Sequence, residues 1–306
     1  MQIIDKEVLK SKLISTDFYK NLNYKINYCD IGASGKIGEP WSLLESNLIH
    51  TIGFEPNYDE FIKLQNTFIN NSYHNIGLWS SKSTQSYYIT SQDYYGNFNF
   101  GTSSMYKPNS PYISKNYGNI DLGRVVEKEI KVECDTLDNI LYEQLDTPDF
   151  IKIDTQGSEY EILKGAEKLL SNNAPIITLE VWTEEIYKNA PLMQDIMSLM
   201  HSYGYKLHAT QIAAQRFYKT NHRVHCIPRI AGFELFYVKS FENLYCLTPE
   251  QLIKQITILE IFGFRDYALF LLENLNILKK DIYDKLYNIL IENGKIIDQK
   301  YAKIRQ

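Results

Sequence analysis

Long apolar runs are missing from this chain. No stretch approaches the roughly 20 apolar residues that a membrane-spanning helix needs. Charges recur every few positions from Met1 to Lys12, so neither a signal peptide nor a membrane anchor is expected there. Cysteine is scarce: Cys29, Cys134, Cys226 and Cys246 are scattered, with no CxxC and no paired spacing. That excludes a disulfide scaffold, makes zinc unattractive, and fits a reduced, cytoplasmic protein. An excess of positive charge is lacking too. The formal net charge is −5, which gives no reason to expect nucleic acid as a partner. The dinucleotide fingerprint G-x-G-x-x-G is also absent, because Ser34 stands two positions after Gly32. Without that glycine the backbone cannot come close to a pyrophosphate, which leaves a dehydrogenase as a distant reading.

Apolar residues are plentiful: 44% of 306 positions, ample for one large α/β domain with or without an appendage. The organising stretch is Tyr28-Cys29-Asp30-Ile31-Gly32-Ala33-Ser34-Gly35, where an apolar run from Ile26 meets a carboxylate and then a turn of small residues. Glu39-Pro40 puts proline where a first helical turn tolerates it, so a helix through Trp41, Leu43 and Leu44 is expected. Strand, glycine turn and helix form the first half of a nucleotide site in open α/β sheets. About twenty residues on, the strand Ile49 to Phe54 delivers Glu55, a carboxylate able to take both hydroxyls of a ribose. Asp30 is a poor neighbour for a diphosphate and a good one for an ammonium or a sulfonium. S-adenosylmethionine carries both cations and no phosphate. A plain βα turn without a ligand is the bland alternative, and Glu55 in register weighs against it.

Along the chain, residues 1 to 22 read as an amphipathic helix with Ile4, Val8 and Leu9 on one face. A helix over Tyr58 to Ile69 and a third strand near Asn75 to Trp79 follow, giving β-α-β-α-β, the order of a parallel sheet. Residues 81–123 are crowded with Tyr, Asn, Ser and Gly and show little helical periodicity. Tyr87 to Ile89 fit a strand, Tyr94 to Asn97 a turn, and the whole reads equally as a substrate-contacting insertion or an ordinary loop. Val126 to Val132 alternates as a half-exposed strand, and Asp135 to Asp138 opens a short helix. Phe150 to Asp154 and Pro175 to Glu180 are buried strands, each ending in a carboxylate, with a helix from Glu159 to Leu170 between them. Consecutive parallel strands joined by one helix are usually neighbours, so Asp154 and Glu180 are expected side by side, facing the glycine turn. A helix from Pro191 to His201 and strands Tyr205 to Ala209 and Gly232 to Val238 complete the sheet. Residues 241–306 are helical, opened by the capping box Thr248-Pro249-Glu250-Gln251, and carry the stripes Leu252, Ile256, Leu259 and Ile282, Leu286, Ile289. They form an appendage that either covers the sheet or pairs subunits into a homo-oligomer. The division is therefore a domain over 1–240 and a helical extension over 241–306.

The glycine turn, Phe54-Glu55-Pro56, Gly101-Thr102-Ser103-Ser104-Met105, Thr136-Leu137-Asp138 and Ile151-Lys152-Ile153-Asp154-Thr155-Gln156-Gly157-Ser158-Glu159 together resemble the FkbM-type methyltransferases. The resemblance runs from about Tyr28 to Val181, and Ile151 to Glu159 is its most specific part. It implies a Rossmann-like, seven-stranded class I methyltransferase sheet. It also implies S-adenosylmethionine-dependent O-methylation, often of sugar hydroxyls in glycans or natural products, including surface polysaccharide. Asp30, Gly32, Ala33, Ser34 and Gly35 would then line the cofactor's amino-acid half, and Glu55 would hold its ribose. The resemblance does not reach the helical extension.

Methyl transfer to an alcohol needs alignment and a way to remove the hydroxyl proton. Asp154 and Glu180 suit either of two tasks: ligands of Mg²⁺ or Mn²⁺, or, with Asp154 as base, metal-free proton removal. A third reading makes Glu180 a cap or core-edge residue. Glu159 is best read as a first-turn residue favouring the helix dipole. Among the histidines, His50 and His74 fall at the wrong edge and His201 on a helix; His225 is the best-placed candidate base. Arg216, Lys219, Arg223 and Arg229 stand between the last two strands, which hang over the active edge if Gly232 to Val238 runs antiparallel. Forked guanidinium groups suit a diphosphate, so the acceptor reads as a nucleotide-linked sugar, against a solvated loop as the plain alternative. A non-catalytic protein of the same fold, binding glycans or partners, is the competing function.

Overall fold

The computed structural model describes residues 13–69, 71–90, 101–117, 123–144, 147–222, 224–244 and 247–301, with side-chain surroundings given as far as residue 292. Ile4, Val8, Leu9, Tyr94 to Asn97, Arg223 and Cys246 lie outside them. Of the expected N-terminal helix, α1 (Asp17–Leu22) is described; Thr16 Oγ1 caps it by accepting from the Tyr19 N–H.

β1 (Ile26–Ile31) runs parallel to β2 (Ile49–Phe54) on one side. On its other side it runs parallel to a strand from much later in the chain, β7 (Phe150–Ile153). β3 (Ser72–His74) extends the β2 edge, while β8 (Ile176–Trp182), β9 (Tyr205–Arg216) and β10 (Arg229–Lys239) complete a seven-stranded sheet in the order β3-β2-β1-β7-β8-β10-β9. β10 is antiparallel to both β8 and β9, as expected. Chain direction across the sheet reverses at β1, and open α/β sheets bind ligands beyond the strand ends at such a point.

Several expectations change in detail. The third strand is shorter and earlier than Asn75 to Trp79, because Gly77 and Leu78 (β4) leave the main sheet. They pair with β6 (Val126–Asp135), which also pairs antiparallel with β5 (Ser83–Thr90), so the first part of the 81–123 segment belongs to a second, three-stranded sheet. That segment also holds a helix, α3 (Ser110–Tyr117), despite its weak periodicity. The helix expected after the glycine turn is only a 3₁₀ turn over Trp41–Leu43. The helix from Glu159 breaks into α4 (Glu159–Lys164) and α5 (Glu167–Asn172), because at Gly165 the backbone packs on the Trp79 carbonyl, where an added Cβ would stand 2.2 Å from oxygen. The helix expected from Asp135 is a short π-helical turn over Asp138–Tyr142. The helices α2 (Tyr58–Thr67) and α6 (Met193–Ser202) lie close to where the periodicity predicts them.

The extension is α7 (Pro249–Ile261), α8 (Arg265–Asn274) and α9 (Lys280–Tyr301). It covers the sheet. Every residue of α7 from Leu252 to Ile261 is buried, and the apolar ones share one cluster with Ile26, Tyr28, Phe150, Ile176 and Phe236. The Phe262 ring lies 5.4 Å from that of Phe150, 5.0 Å from Phe236 and 5.8 Å from Trp41. Polar ties fix the register: Lys254 Nζ is 3.2 Å from Asp149, and Gln255 Nε2 donates to the Ala174 carbonyl at 2.6 Å. α7 thus covers apolar surface beside the abbreviated turn at Trp41. No helix among the described residues is long and apolar enough to cross a membrane.

Candidate active site

Side chains alternate across a strand. Ile31, Phe54, Ile153 and Leu179 face one side of the sheet, while Tyr28, Asp30, Lys152, Thr178, Glu180 and Glu234 face the other. Each side carries a cavity at the edge where β1, β2, β7 and β8 end.

The first cavity encloses about 670 Å³ of empty space counting its open mouth, and Gly32, Ser34, Glu55, Asp154, Thr155 and Ser158 help to line it. Gly32 has a left-handed φ of 80° and packs on the next strand: an added Cβ would lie 2.2 Å from the Asp154 carbonyl oxygen. The Gly32 and Ala33 N–H groups donate to the Phe54 carbonyl, which ties the turn to the end of β2. Glu55 is 4% exposed. Its Oε1 accepts from the Asn57 N–H at 2.7 Å, and its main chain is held by His74 and Asn75. Burial pushes its carboxyl up to about 8 against the Asn57 bond, and the charges of Glu60 and Asp30 add to the rise. Ser158 is 1% exposed, and its Oγ has no hydrogen-bond partner among the described residues. A glycine turn, an uncompensated carboxyl at the end of β2 and an orphaned hydroxyl fit an adenosyl ligand bearing free hydroxyls.

The 154–159 loop is braced from within. Gln156 and Gly157 have φ of 59° and 121°. Glu159 accepts from Thr155 N and Oγ1 at 3.0 Å each and from Gly157 N at 2.9 Å. Its role is therefore to staple this loop, beyond any interaction with a helix dipole. Burial pushes it up to about 7 against those bonds.

Asp30 does not line the first cavity; its carboxylate turns to the other face and meets Lys152 Nζ at 3.3 Å. The same ammonium lies 3.7 Å from Asp154, whose Oδ1 also accepts from Gln156 Nε2 at 2.9 Å. Burial would lower the Lys152 ammonium, but Asp30 and Asp154 reverse this and hold it raised. β8 runs on to Trp182, past the strand end expected at Glu180, so Glu180 lies two residues inside it, paired in register with Glu234. Burial first, then the charge of Asp154, push it up to about 8, and Arg124 opposes them. It has no hydrogen-bond partner among the described residues. Arg124 is oriented by Tyr187, whose hydroxyl accepts from its Nε at 3.2 Å.

Two sequence expectations meet resistance here. Asp154 and Glu180 are close enough to feel each other's charge, but Asp154 already meets an ammonium and an amide. No group of three or more His, Cys, Asp or Glu side chains is gathered for a metal among the described residues. Of the two carboxylates expected to ligate a cation, Asp154 is thus already engaged by Lys152 and Gln156. The β9–β10 hairpin does reach the active edge, but Arg229 is paired with Glu184 and sits over the Tyr117 and Tyr218 rings at 5.0 and 4.3 Å. Arg216 is half-buried and donates to its neighbour's carbonyl; Lys219 and His225 are exposed, and His225 lines neither cavity. Ala33 and Gly35 shape the turn without lining the cavity. Ser158, Thr155 and Arg124 were missed as single residues, although the first two sit inside the most specific motif. Glu234 was missed as well: it faces Glu180 only because β10 inserts between β9 and β8 and pairs antiparallel with β8.

Sheet order and the acidic, glycine-turned pocket at its edge define the class of S-adenosylmethionine-dependent methyltransferases. The sequence profile of the methyltransferase FkbM domain matches residues 30–207, more than half of the chain. The protein belongs to the FkbM methyltransferase family. A solved methyltransferase FkbM from Methylobacillus flagellatus KT is 18% identical, with a TM-score of 0.38, covering 73% of this chain and 47% of its own. The chain thus spans about half the length of that protein. A precorrin-6y C5,15-methyltransferase from Geobacter metallireducens GS-15 is 13% identical (TM-score 0.33, covering 75% and 91%). A methyltransferase from Aquifex aeolicus is 10% identical (TM-score 0.32, covering 78% and 100%). A comparison with curated proteins finds no match.

Proposed function

We propose that the protein is an O-methyltransferase that methylates a sugar hydroxyl, with Glu180 as the base. The carrying observation is Glu180 itself: a half-buried carboxyl, pushed up to about 8 by desolvation and by Asp154, with no hydrogen bond among the described residues, and close to the Asp154 carboxylate that lines the cofactor pocket. A base is most effective when its pKa lies near the working pH. When bound, S-adenosylmethionine supplies a methyl carbon made electrophilic by its sulfonium. Glu55 accepts the ribose hydroxyls, and Ser158 Oγ supplies a further polar contact in the same pocket. Asp154, fixed by Lys152 and Gln156, positions the acceptor and keeps Glu180 protonatable through its charge. Glu180, as its carboxylate, would take the acceptor hydroxyl's proton as that oxygen gains the methyl group, the methyl–sulfur bond breaking and S-adenosylhomocysteine leaving. A nucleotide-linked sugar is the finer form of this reading. Its phosphate contact is Lys219, exposed beside the hairpin, since Arg229 is held by Glu184.

The test is S-adenosylhomocysteine release with a panel of free and nucleotide-linked sugars, in wild type and Glu180→Gln. Turnover that drops by about 10²–10⁴-fold in the variant, with cofactor binding retained, supports the base. Cofactor binding without transfer to any sugar would favour a glycan- or partner-binding protein instead.

A further inference from the structure

The second cavity, about 260 Å³ of enclosed space and about 810 Å³ counting its open mouth against about 670 Å³ for the first, lies on the face of the sheet opposite the cofactor pocket. Its walls are aromatic: Tyr28, Trp41 and Phe150 from the sheet domain, and Phe262 from the helical extension. Its polar lining is Lys152, Thr178, Gln211, Glu234 and Glu39. The one cation, Lys152, is already shared between Asp30 and Asp154, so the remaining charge, on Glu234 and Glu39, is negative. Such a lining repels phosphate. Flat apolar walls with a few hydroxyl-binding groups suit a neutral polyol ring. The enclosed volume lies just under the roughly 300 Å³ at which pockets for drug-sized ligands begin, so it holds one ring and not a chain.

The position is as informative as the lining. Glu234 pairs in register with Glu180, and Lys152 bridges toward Asp154, which lines the cofactor pocket. The cavity thus adjoins, through Glu234 and Lys152, the carboxylates Glu180 and Asp154.

We propose that this cavity seats a single uncharged sugar ring of the acceptor, with Glu234 and Lys152 binding its hydroxyls and Phe262 of the helical extension closing it. The inference rests on the methyl-transfer reading and names where its acceptor sits. The extension is then a specificity wall as well as a cover. Any phosphate of a larger acceptor stays outside, toward the β9–β10 hairpin.

Gly38 offers a clean block. It lines the cavity, its φ is not left-handed, and an added Cβ meets nothing within 4 Å. Saturation-transfer NMR would use methyl α-D-glucopyranoside, methyl α-D-mannopyranoside and methyl α-L-rhamnopyranoside, with glucose 1-phosphate as the anionic probe. Each is run with and without S-adenosylhomocysteine, on wild type, Gly38→Phe and Glu234→Gln. The expected result is transfer to at least one neutral glycoside, reduced about tenfold or more in Gly38→Phe and weakened in Glu234→Gln. Calorimetric affinity for S-adenosylhomocysteine should stay within about twofold in both variants, which also shows that they fold. A glycoside signal that persists in Gly38→Phe, or a response from the phosphate alone, overturns the proposal. So does no glycoside response in a protein that binds S-adenosylhomocysteine. Glycoside signals lost in Gly38→Phe, in a protein that binds no S-adenosylhomocysteine, would keep the sugar seat and refute methyl transfer.

Discussion

Removing the charge of Glu55 is the sharpest perturbation, because its effect can be read without knowing the acceptor. In the free protein, burial holds this carboxyl near 8. At pH 7 only about one molecule in ten carries the ionised form, and at pH 6 about one in a hundred. Two ribose hydroxyls donating to the carboxylate favour the ionised form, so binding expels the proton. Affinity for S-adenosylhomocysteine should therefore rise about fiftyfold between pH 6 and pH 8, or about 2 kcal/mol, and flatten above that. Binding at pH 7 should release about 0.9 proton, visible as a dependence of the calorimetric heat on the buffer's ionisation enthalpy. Glu55→Gln keeps the shape and one acceptor oxygen. It should bind more weakly than wild type at pH 8 and lose the slope and the proton release, while the ligand's own titration stays common to both. Equal wild-type affinity at pH 6 and pH 8, or a slope that survives in Glu55→Gln, would refute the ribose assignment.

Glu180 predicts a kinetic slope: kcat/KM should climb about tenfold per pH unit below 7, level off above about 8, and be flat in Glu180→Gln. A flat wild-type profile would remove Glu180 as base. The same raised groups bear on stability. Glu55 and Glu180 hold protons up to about 8 when folded but release them near their ordinary 4.5 when unfolded, so stability falls as pH rises between those values. Without ligand, Tm should be lower at pH 8 than at pH 6, and Glu55→Gln should shallow that trend; an identical trend in the variant would show that other groups set it. Phe262→Ala opens a hole against Phe150, Phe236 and Trp41 and should cost about 3–5 kcal/mol in denaturant unfolding. A cost under about 1 kcal/mol would mean that the extension packs loosely.

Most strands were legible because each is a short apolar run ended by a turn, and the pairing of β7 with β8 because one helical segment joins them; the full seven-stranded sheet came only with the family resemblance. Glu55 was legible as the carboxylate that ends one such run. What escaped depends on contacts far apart in sequence. Lys152 looked like an unexplained charge until Asp30, on the adjacent strand, was set beside it in register. Gly165 breaks a well-patterned helix only because Trp79 packs on it. Glu159 could not be read as a staple from its place in a first turn, since the groups it binds lie in a loop whose left-handed residues the sequence does not advertise. Arg229 looked available for phosphate until Glu184, beyond the end of β8, was seen to take it.

The position of β10 bears on how the chain folds as it is made. β9 leaves the ribosome before β10, yet β10 is the strand between it and β8, so both wait for a partner not yet synthesised. The apolar face at Tyr28 and Phe150 waits longer still, until α7 emerges. The residues matched by the family, 30–207, cannot close this sheet on their own. During synthesis the nascent protein has to keep unpaired strand edges and a bare aromatic face away from other chains, which makes it a natural client for a holding chaperone.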